Sequence, residues 1–217
     1  MLNININTMY KSGYTLSFFR NLENDLFDFL TYIPADYYRN NKSMIFSPKL
    51  SDLLIRIGSQ IDSFFRNWDI VHAKNFGVNL EDLSFGNYQS IEKDIKLMYE
   101  DITFLPTYEI ITPFEDWKHE KPKWWIAYDQ VKHDGFTKKE KGNLFNVIES
   151  LSALFLLNCI HEDTKIKLIQ YGYDKVDYSI DLITGQENYV RTYNPYVTSK
   201  LFEYEKNKIN IEGASYW

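Results

Sequence analysis

The segment at residues 143–160, NLFNVIESLSALFLLNCI, constrains the fold most strongly. Its hydrophobic residues recur at helical spacing, and its last two turns are apolar nearly all round. Such a helix is stable only when other elements surround it, so we expect it at the centre of a helical domain. Its apolar run, from about residue 154 to 160, is much shorter than the roughly 20 residues that cross a bilayer. We therefore expect no membrane segment.

Other segments also show the apolar spacing of helices. They are about residues 17–33, 47–68, 88–102 and 121–133. Pro34 would end the first of these helices, because proline cannot continue a helix. Ser47 and Pro48 give the second a capping residue followed by proline at the first helical position. Pro122 lies near the start of the last and shortest helix.

The C-terminal part of the chain changes character. Between residues 176 and 182, apolar residues alternate with polar ones, which predicts a strand, and a second strand is expected near residues 189–196. The predicted fold class is therefore mainly α: a helical bundle with a small C-terminal β appendage. We expect residues 1–165 to form the helical domain and residues 166–217 to form an extension packed on it.

Cysteine content and the N-terminal residues indicate the compartment. The chain has one cysteine, Cys159, so no intramolecular disulfide is possible, and its apolar neighbours favour a buried thiol in a reducing compartment. The first residues, MLNININTMYKSGY, lack the basic start and apolar run of a signal peptide. We therefore expect a cytoplasmic protein. No convergent cluster of metal-ligating residues is evident, so neither a metal site nor a cofactor is expected.

Charge is distributed unevenly along the chain. The net charge is −6, which argues against a protein that coats nucleic acid non-specifically. Residues 118–141 nevertheless contain seven lysines and four acids, a local excess of three positive charges, so the remainder carries −9. An anionic partner would approach this segment. The alternative is an ordinary solvated basic face.

The helix predicted at residues 121–134 separates a packing side from a polar side. An advance of about 100° per residue groups the side chains into two adjacent faces. The packing face carries Trp124, Ala127, Tyr128 and Val131, and the polar face carries Trp125, Asp129, Lys132 and His133. Asp129 and His133 are four residues apart, within hydrogen-bond reach, so the carboxylate could orient the imidazole. This arrangement suits an anion such as a phosphate, and it also suits a well-capped helix end.

The same segment carries a family resemblance. WWIAYDQVKHDGF, followed by GNLFNVIESLSALFLL, resembles a pattern in prokaryotic HEPN-like and abortive-infection-associated proteins. In that pattern a Trp-rich stretch leads to Tyr-Asn-x-x-Lys-His, then a loop, then a helix with an Ala-Leu-rich face. The resemblance covers roughly residues 16–160. It implies a compact helical domain that often forms a homodimer, and many relatives are metal-independent ribonucleases of toxin–antitoxin or antiphage systems.

The chain departs from the catalytic motif of that family, Arg-polar-x(3–4)-His. Counted back from His133, Tyr128 occupies the arginine position and Asp129 the polar one, and Lys132 is the nearest cation. Lysine offers charge without the bidentate fork of arginine. In a catalytic protein, His133 would be the general acid/base, Lys132 would stabilise phosphate charge and Asp129 would orient the imidazole. The binding residues would be Trp125, stacked on a base, together with Tyr128, Lys138 and Lys139.

A second, weaker match to the motif lies at Arg66 and His72. On a continuing helix, His72 falls near the apolar seam and Arg66 points about 120° away. That geometry favours a core or helix-end role for His72.

The sequence thus predicts a HEPN-like defence or toxin–antitoxin component that contacts RNA or a nucleotide, and that could be a metal-independent ribonuclease. The alternative is a non-catalytic protein–protein interaction subunit of a defence complex, pairing with itself as a homodimer or with a partner protein.

Overall fold

A computed structural model describes residues 6–68, 79, 82–161, 164, 168 and 196–205 of the 217-residue chain. This part is mainly helical and includes a four-stranded antiparallel sheet. The helices are α1 (Ile6–Leu30), α2 (Ala35–Asn41), α3 (Pro48–Arg66), α4 (Phe85–Tyr88), α5 (Glu92–Ile95), α6 (Lys123–Asp134) and α7 (Leu144–Ile160). The strands are β1 (Ile102–Phe104), β2 (Glu109–Ile111), β3 (Tyr196–Thr198) and β4 (Phe202–Glu205).

The helix α7 lies at the centre of the core, as its composition predicts. The Asn143 side chain caps its first turn by accepting a hydrogen bond from the Asn146 backbone N–H at 3.0 Å. Almost every later side chain is buried, and α1, α3 and α6 pack around it. The ring of Phe155 stacks on Phe19 of α1 at 5.3 Å. In the part of the chain that the structure describes, no helix combines the length and apolar character that a bilayer crossing requires.

The helix α3 begins as predicted. Ser47 is extended, and its hydroxyl accepts a hydrogen bond from the Leu50 backbone N–H at 3.2 Å, while Pro48 occupies the first helical position. Its apolar stripe is buried against α1 and α7. Each fully buried Leu or Ile of this stripe contributes about 1.5–3 kcal/mol relative to an exposed side chain.

The first predicted helix is present but has different ends. It begins at Ile6 and ends at Leu30, before the predicted stop at Pro34. Pro34 instead opens α2, where its carbonyl accepts hydrogen bonds from the backbone N–H groups of Tyr37 and Tyr38. The proline thus starts the next helix as well as preventing continuation of the first.

The single helix predicted at residues 88–102 is wrong. The segment forms α4, α5 and two short 3₁₀ turns, and then enters strand β1. Lys96 has a φ of 52°, in the left-handed region that L-residues enter rarely and that ends a right-handed helix. The buried carboxylate of Glu92 accepts hydrogen bonds from the backbone N–H groups of Leu97 and Met98, both at 3.1 Å. These bonds stabilise the break, which the apolar spacing alone did not reveal.

The sheet has the order β2-β1-β4-β3, and it differs from the appendage that the sequence suggested. Two of its strands, β1 and β2, come from the middle of the chain, and Phe104 of β1 pairs with Phe202 of β4. Phe202 also stacks on Phe155 of α7 at 5.8 Å, which joins the sheet to the core. The strand expected at residues 176–182 lies outside the described residues, as does the second one except for Tyr196, which begins β3.

Candidate functional site

The helix α6 presents the residues that the sequence singled out. Pro122 precedes it, and its carbonyl accepts hydrogen bonds from the Trp125 and Ile126 backbone N–H groups at 2.9 and 3.1 Å. The helix is about 18 Å long, at 1.5 Å per residue. Its predicted packing face is confirmed, because Trp124, Ala127, Tyr128 and Val131 are all buried. The indole N–H of Trp124 donates to the Pro113 carbonyl at 2.7 Å.

Tyr128, a predicted binding residue, lies in the contact between α6 and α3. Its side chain is 2% exposed, and it lies directly against the backbone of Gly58. A Cβ at position 58 would be 2.4 Å from the ring Cδ2 of Tyr128, so only glycine fits without movement. The ring of Tyr128 therefore packs between helices, and only its hydroxyl, through a hydrogen bond from Lys132, contacts the polar face.

Trp125 does not share the exposed polar face, so that expectation is wrong. The residue is 4% exposed, and its ring stacks on Phe85 at 4.2 Å and meets Tyr128 edge-on at 5.1 Å. The reason is that α4 covers this flank of α6, which helical spacing within α6 could not indicate. A ring enclosed in this way is not accessible to a base.

Lys132 is exposed, and its ammonium group contacts Tyr128. Its Nζ donates a hydrogen bond to the Tyr128 hydroxyl at 3.1 Å and lies 5.2 Å from the ring centroid. This hydrogen bond, together with the carboxylates of Asp62 and Asp129, raises the pKa of Lys132 despite partial burial. Lys132 therefore remains positively charged at neutral pH, one residue from His133.

The expected pair of Asp129 and His133 is not formed. Among the described residues no hydrogen bond joins them, and the Asp129 carboxylate instead lies 4.0 Å from the ammonium of Lys121. Both members of this ion pair are substantially exposed, so it contributes little stability. His133 is exposed at the end of α6, next to Lys132 in the sequence, and it lacks the hydrogen bond to Asp129 that would orient its imidazole.

The remaining predicted binding residues follow α6 in a loop. Lys138 and Lys139 are exposed there, and Lys139 begins a short 3₁₀ turn. Within the described residues, neither these lysines nor His133 forms a salt bridge. We call the set of Lys132, His133, Lys138 and Lys139 the basic end of α6.

In the second candidate motif, Arg66 and His72, the arginine has a structural role. Arg66 donates from Nε to the Asp62 carboxylate at 2.9 Å and from its terminal amino group to the Leu83 carbonyl at 3.0 Å. The Asp62 carboxylate, which also accepts a hydrogen bond from the Tyr88 hydroxyl at 3.1 Å, raises the pKa of Arg66 further. Arg66 thus joins α3 to the segment around α4. His72 lies outside the described residues.

Glu149 is a candidate functional residue that the sequence did not single out. It lies on α7 and is partly buried, and this burial raises the pKa of its carboxyl to about 7. Glu115 raises the pKa further, whereas Lys42 and Lys123 lower it. Lys42 forms an ion pair with Glu109 at 2.5 Å, so it compensates the charge of the Glu149 carboxylate only in part. The signal in the sequence was the single charged residue of this helix.

Across the described residues, no cluster of three or more His, Cys, Asp or Glu side chains is arranged to hold a metal ion. Comparison with family models, curated proteins and solved structures finds no match to this chain. The functional argument therefore depends on the site itself.

Proposed function

We propose that this protein is a HEPN-like cytoplasmic component of a defence or toxin–antitoxin system, and that it contacts RNA through the basic end of α6. One observation carries the proposal: Lys132, His133, Lys138 and Lys139 are all exposed at one end of a single helix and its following loop. None of the last three is neutralised by a salt bridge within the described residues.

The charge distribution supports an anionic ligand at this end. The chain outside residues 118–141 carries −9, so a polyanion is repelled from most of the molecule and attracted to this segment. At physiological salt the attraction acts over about 8 Å, which confines contact to phosphates that lie directly against the basic end. Lys132 supplies a charge that the Tyr128 hydroxyl holds in position.

The catalytic form of this proposal is a metal-independent ribonuclease. His133 would take the proton of the RNA 2′-OH, and the 2′-oxygen would attack the adjacent phosphorus as the bond to the 5′-oxygen breaks and that oxygen takes a proton from water. Lys132 would stabilise the charge that develops on the phosphate. Their exposure and adjacency support these roles. The position of Asp129 does not, because its carboxylate is directed towards Lys121 and not towards His133. The geometry therefore supports RNA contact more strongly than RNA cleavage.

The second candidate is a non-catalytic interaction subunit that pairs with a second copy or with a partner protein. Three contacts that occupy the predicted catalytic side chains favour this candidate. Lys132 donates to Tyr128, Asp129 pairs with Lys121, and Arg66 joins two parts of the fold. In such an interaction subunit, the basic end would stabilise the C-terminus of α6 and need not bind a ligand.

Salt-dependent binding of RNA tests the contact. Single-stranded RNA should bind with a logarithmic salt dependence of about −0.7 per phosphate contacted. Replacing Lys138 and Lys139 together with Gln should weaken binding and reduce this slope by roughly 1.4, since two contacts are lost. The matched control replaces Lys49 and Lys96, which are exposed elsewhere, and should leave the slope unchanged. Equal slopes for the two double variants would refute the proposed contact.

Cleavage is tested separately, with purified protein and a mixed RNA pool in EDTA. His133→Ala is compared with His119→Ala, which removes an exposed histidine outside the basic end. Cleavage that His133→Ala abolishes and His119→Ala preserves supports the ribonuclease. If the wild type binds RNA and does not cut it, or if both variants cut as the wild type does, catalysis by His133 is excluded under these conditions.

A further inference from the structure

Phe136 is the most exposed large hydrophobic side chain in the described part of the chain. Its exposure is 93%, and it lies directly after α6, within the basic end. No aromatic contact involves its ring among the described residues, although phenylalanine is ordinarily covered. This contrasts with Trp125, whose ring is enclosed by Phe85 and Tyr128.

The turn that carries Phe136 is held by hydrogen bonds on either side of the ring. The Asp134 carboxylate accepts hydrogen bonds from the backbone N–H and the hydroxyl of Thr137, and the Asp134 carbonyl accepts from the Lys138 backbone N–H at 3.0 Å. At Gly135, a Cβ would lie 2.8 Å from the Val131 carbonyl oxygen. The ring is therefore presented on a preformed turn, which lowers the entropic cost of binding.

The loop is also attached where it returns to the core. The Asn143 and Asn146 side-chain amides donate to the carbonyls of Glu140 and Lys141, both at 2.9 Å. Gly142 lies so close to Ser51 of α3 that a Cβ there would be 2.0 Å from the serine Oγ. The C-terminal end of the loop is thus fixed to α7 and α3, while local hydrogen bonds hold its first turn.

The surroundings of the ring indicate which ligand it suits. His133, Lys138 and Lys139 lie within three residues of Phe136, so their Cα atoms are within about 11 Å of its Cα. Asp134 also lies in this range, but its carboxylate accepts hydrogen bonds from the backbone N–H and hydroxyl of Thr137. The core of a protein–protein interface is depleted of lysine, and a single ring among cations does not have that composition. A ring beside several cations instead matches the alternation of bases and phosphates in single-stranded nucleic acid.

We propose that Phe136 stacks on an unpaired base of single-stranded RNA while the basic end contacts the adjacent phosphates. This inference rests on the RNA contact proposed above and assigns to Phe136 the stacking role that the sequence suggested for Trp125. The ligand class is single-stranded RNA, because a base paired in a duplex presents no free face to the ring.

Binding of a labelled 12-nucleotide single-stranded RNA of mixed sequence tests the inference. Phe136→Ala should weaken binding roughly 5- to 150-fold, as expected for the loss of one stacked base. Phe136→Leu should lose a similar factor because it keeps apolar bulk without a ring, whereas Phe136→Trp should retain or increase affinity. The salt slope should stay unchanged in all three, since no charge is removed. The matched control is Tyr32→Ala, an aromatic side chain 86% exposed elsewhere.

The outcomes separate this inference from the function on which it rests. Salt-dependent binding by the wild type, with equal affinities for Phe136→Ala and Tyr32→Ala, overturns stacking and leaves the RNA contact intact. Wild-type affinity in Phe136→Leu also overturns stacking. No RNA binding by the wild type at low salt overturns both proposals. A change of sedimentation coefficient in Phe136→Ala, without a change in RNA affinity, would assign the ring to a protein contact and overturn the inference.

Discussion

Replacement of Gly58 by alanine should destabilise the fold, although alanine is the better helix former. Gly58 lies inside α3, where Gly→Ala ordinarily gains about 1 kcal/mol. Here the added Cβ would lie 2.4, 2.5 and 2.8 Å from three ring carbons of Tyr128, whereas ordinary contacts are 3.4–4 Å. The two helices must therefore separate by about 1 Å, or the ring must turn, and overpacking of this kind costs about 1–3 kcal/mol.

The displacement of Tyr128 has a further cost. Its hydroxyl accepts the hydrogen bond from Lys132, and loss of that bond removes about 0.5–1.5 kcal/mol. With the gain in helix propensity subtracted, we expect a net loss of about 2 kcal/mol in the free energy of unfolding, within a range of about 0.5–3.5 kcal/mol. Urea denaturation followed by circular dichroism measures this as a lower midpoint at constant m-value.

Gly86→Ala is the matched control. Gly86 is also helical, but a Cβ there would be 3.6 Å from the Ser84 hydroxyl oxygen, an ordinary contact, so no loss is expected. A double-mutant cycle with Tyr128→Ala, which removes the ring, should abolish the cost of Gly58→Ala. If Gly58→Ala is as stable as Gly86→Ala, or if its cost persists without the ring, the steric argument is refuted.

Two further predictions concern stability. The pKa of the Glu149 carboxyl is raised from 4.5 to about 7, so the folded protein binds this proton more tightly than the unfolded chain does. The resulting stability is complete below pH 4.5 and is lost as the pH rises through 7. In urea denaturation, Glu149→Gln should therefore exceed the wild type by about 3 kcal/mol at pH 8 and by less than about 1 kcal/mol near pH 5. An equal difference at both pH values would contradict this. Ser47→Ala should cost about 1 kcal/mol in the same assay, because it removes the cap of α3. The control Ser59→Ala, at an exposed position in the middle of the helix, should cost nothing. Equal urea midpoints for the two variants would exclude capping by Ser47.

Local sequence determined the elements whose signals are contained within one segment. The apolar stripe of residues 143–160, with its last two turns apolar nearly all round, predicted the central helix, and Ser47 with Pro48 predicted the start of α3. The spacing within residues 121–134 predicted which face of α6 packs, as the burial of Trp124 and Tyr128 confirms. These predictions succeeded because helical periodicity and N-capping are set by residues within a few positions of one another.

Contacts between distant segments decided the rest. Trp125 is buried because α4 lies over its flank, and Asp129 turns to Lys121 although His133 is one helical turn away. The predicted helix at residues 88–102 breaks because the Glu92 carboxylate stabilises a left-handed Lys96. Periodicity specifies which side of a helix is apolar, but the neighbour that covers each flank depends on how the whole chain packs. The sequence therefore located the basic end of α6, and the tertiary structure decided that Phe136, and not Trp125, is its exposed ring.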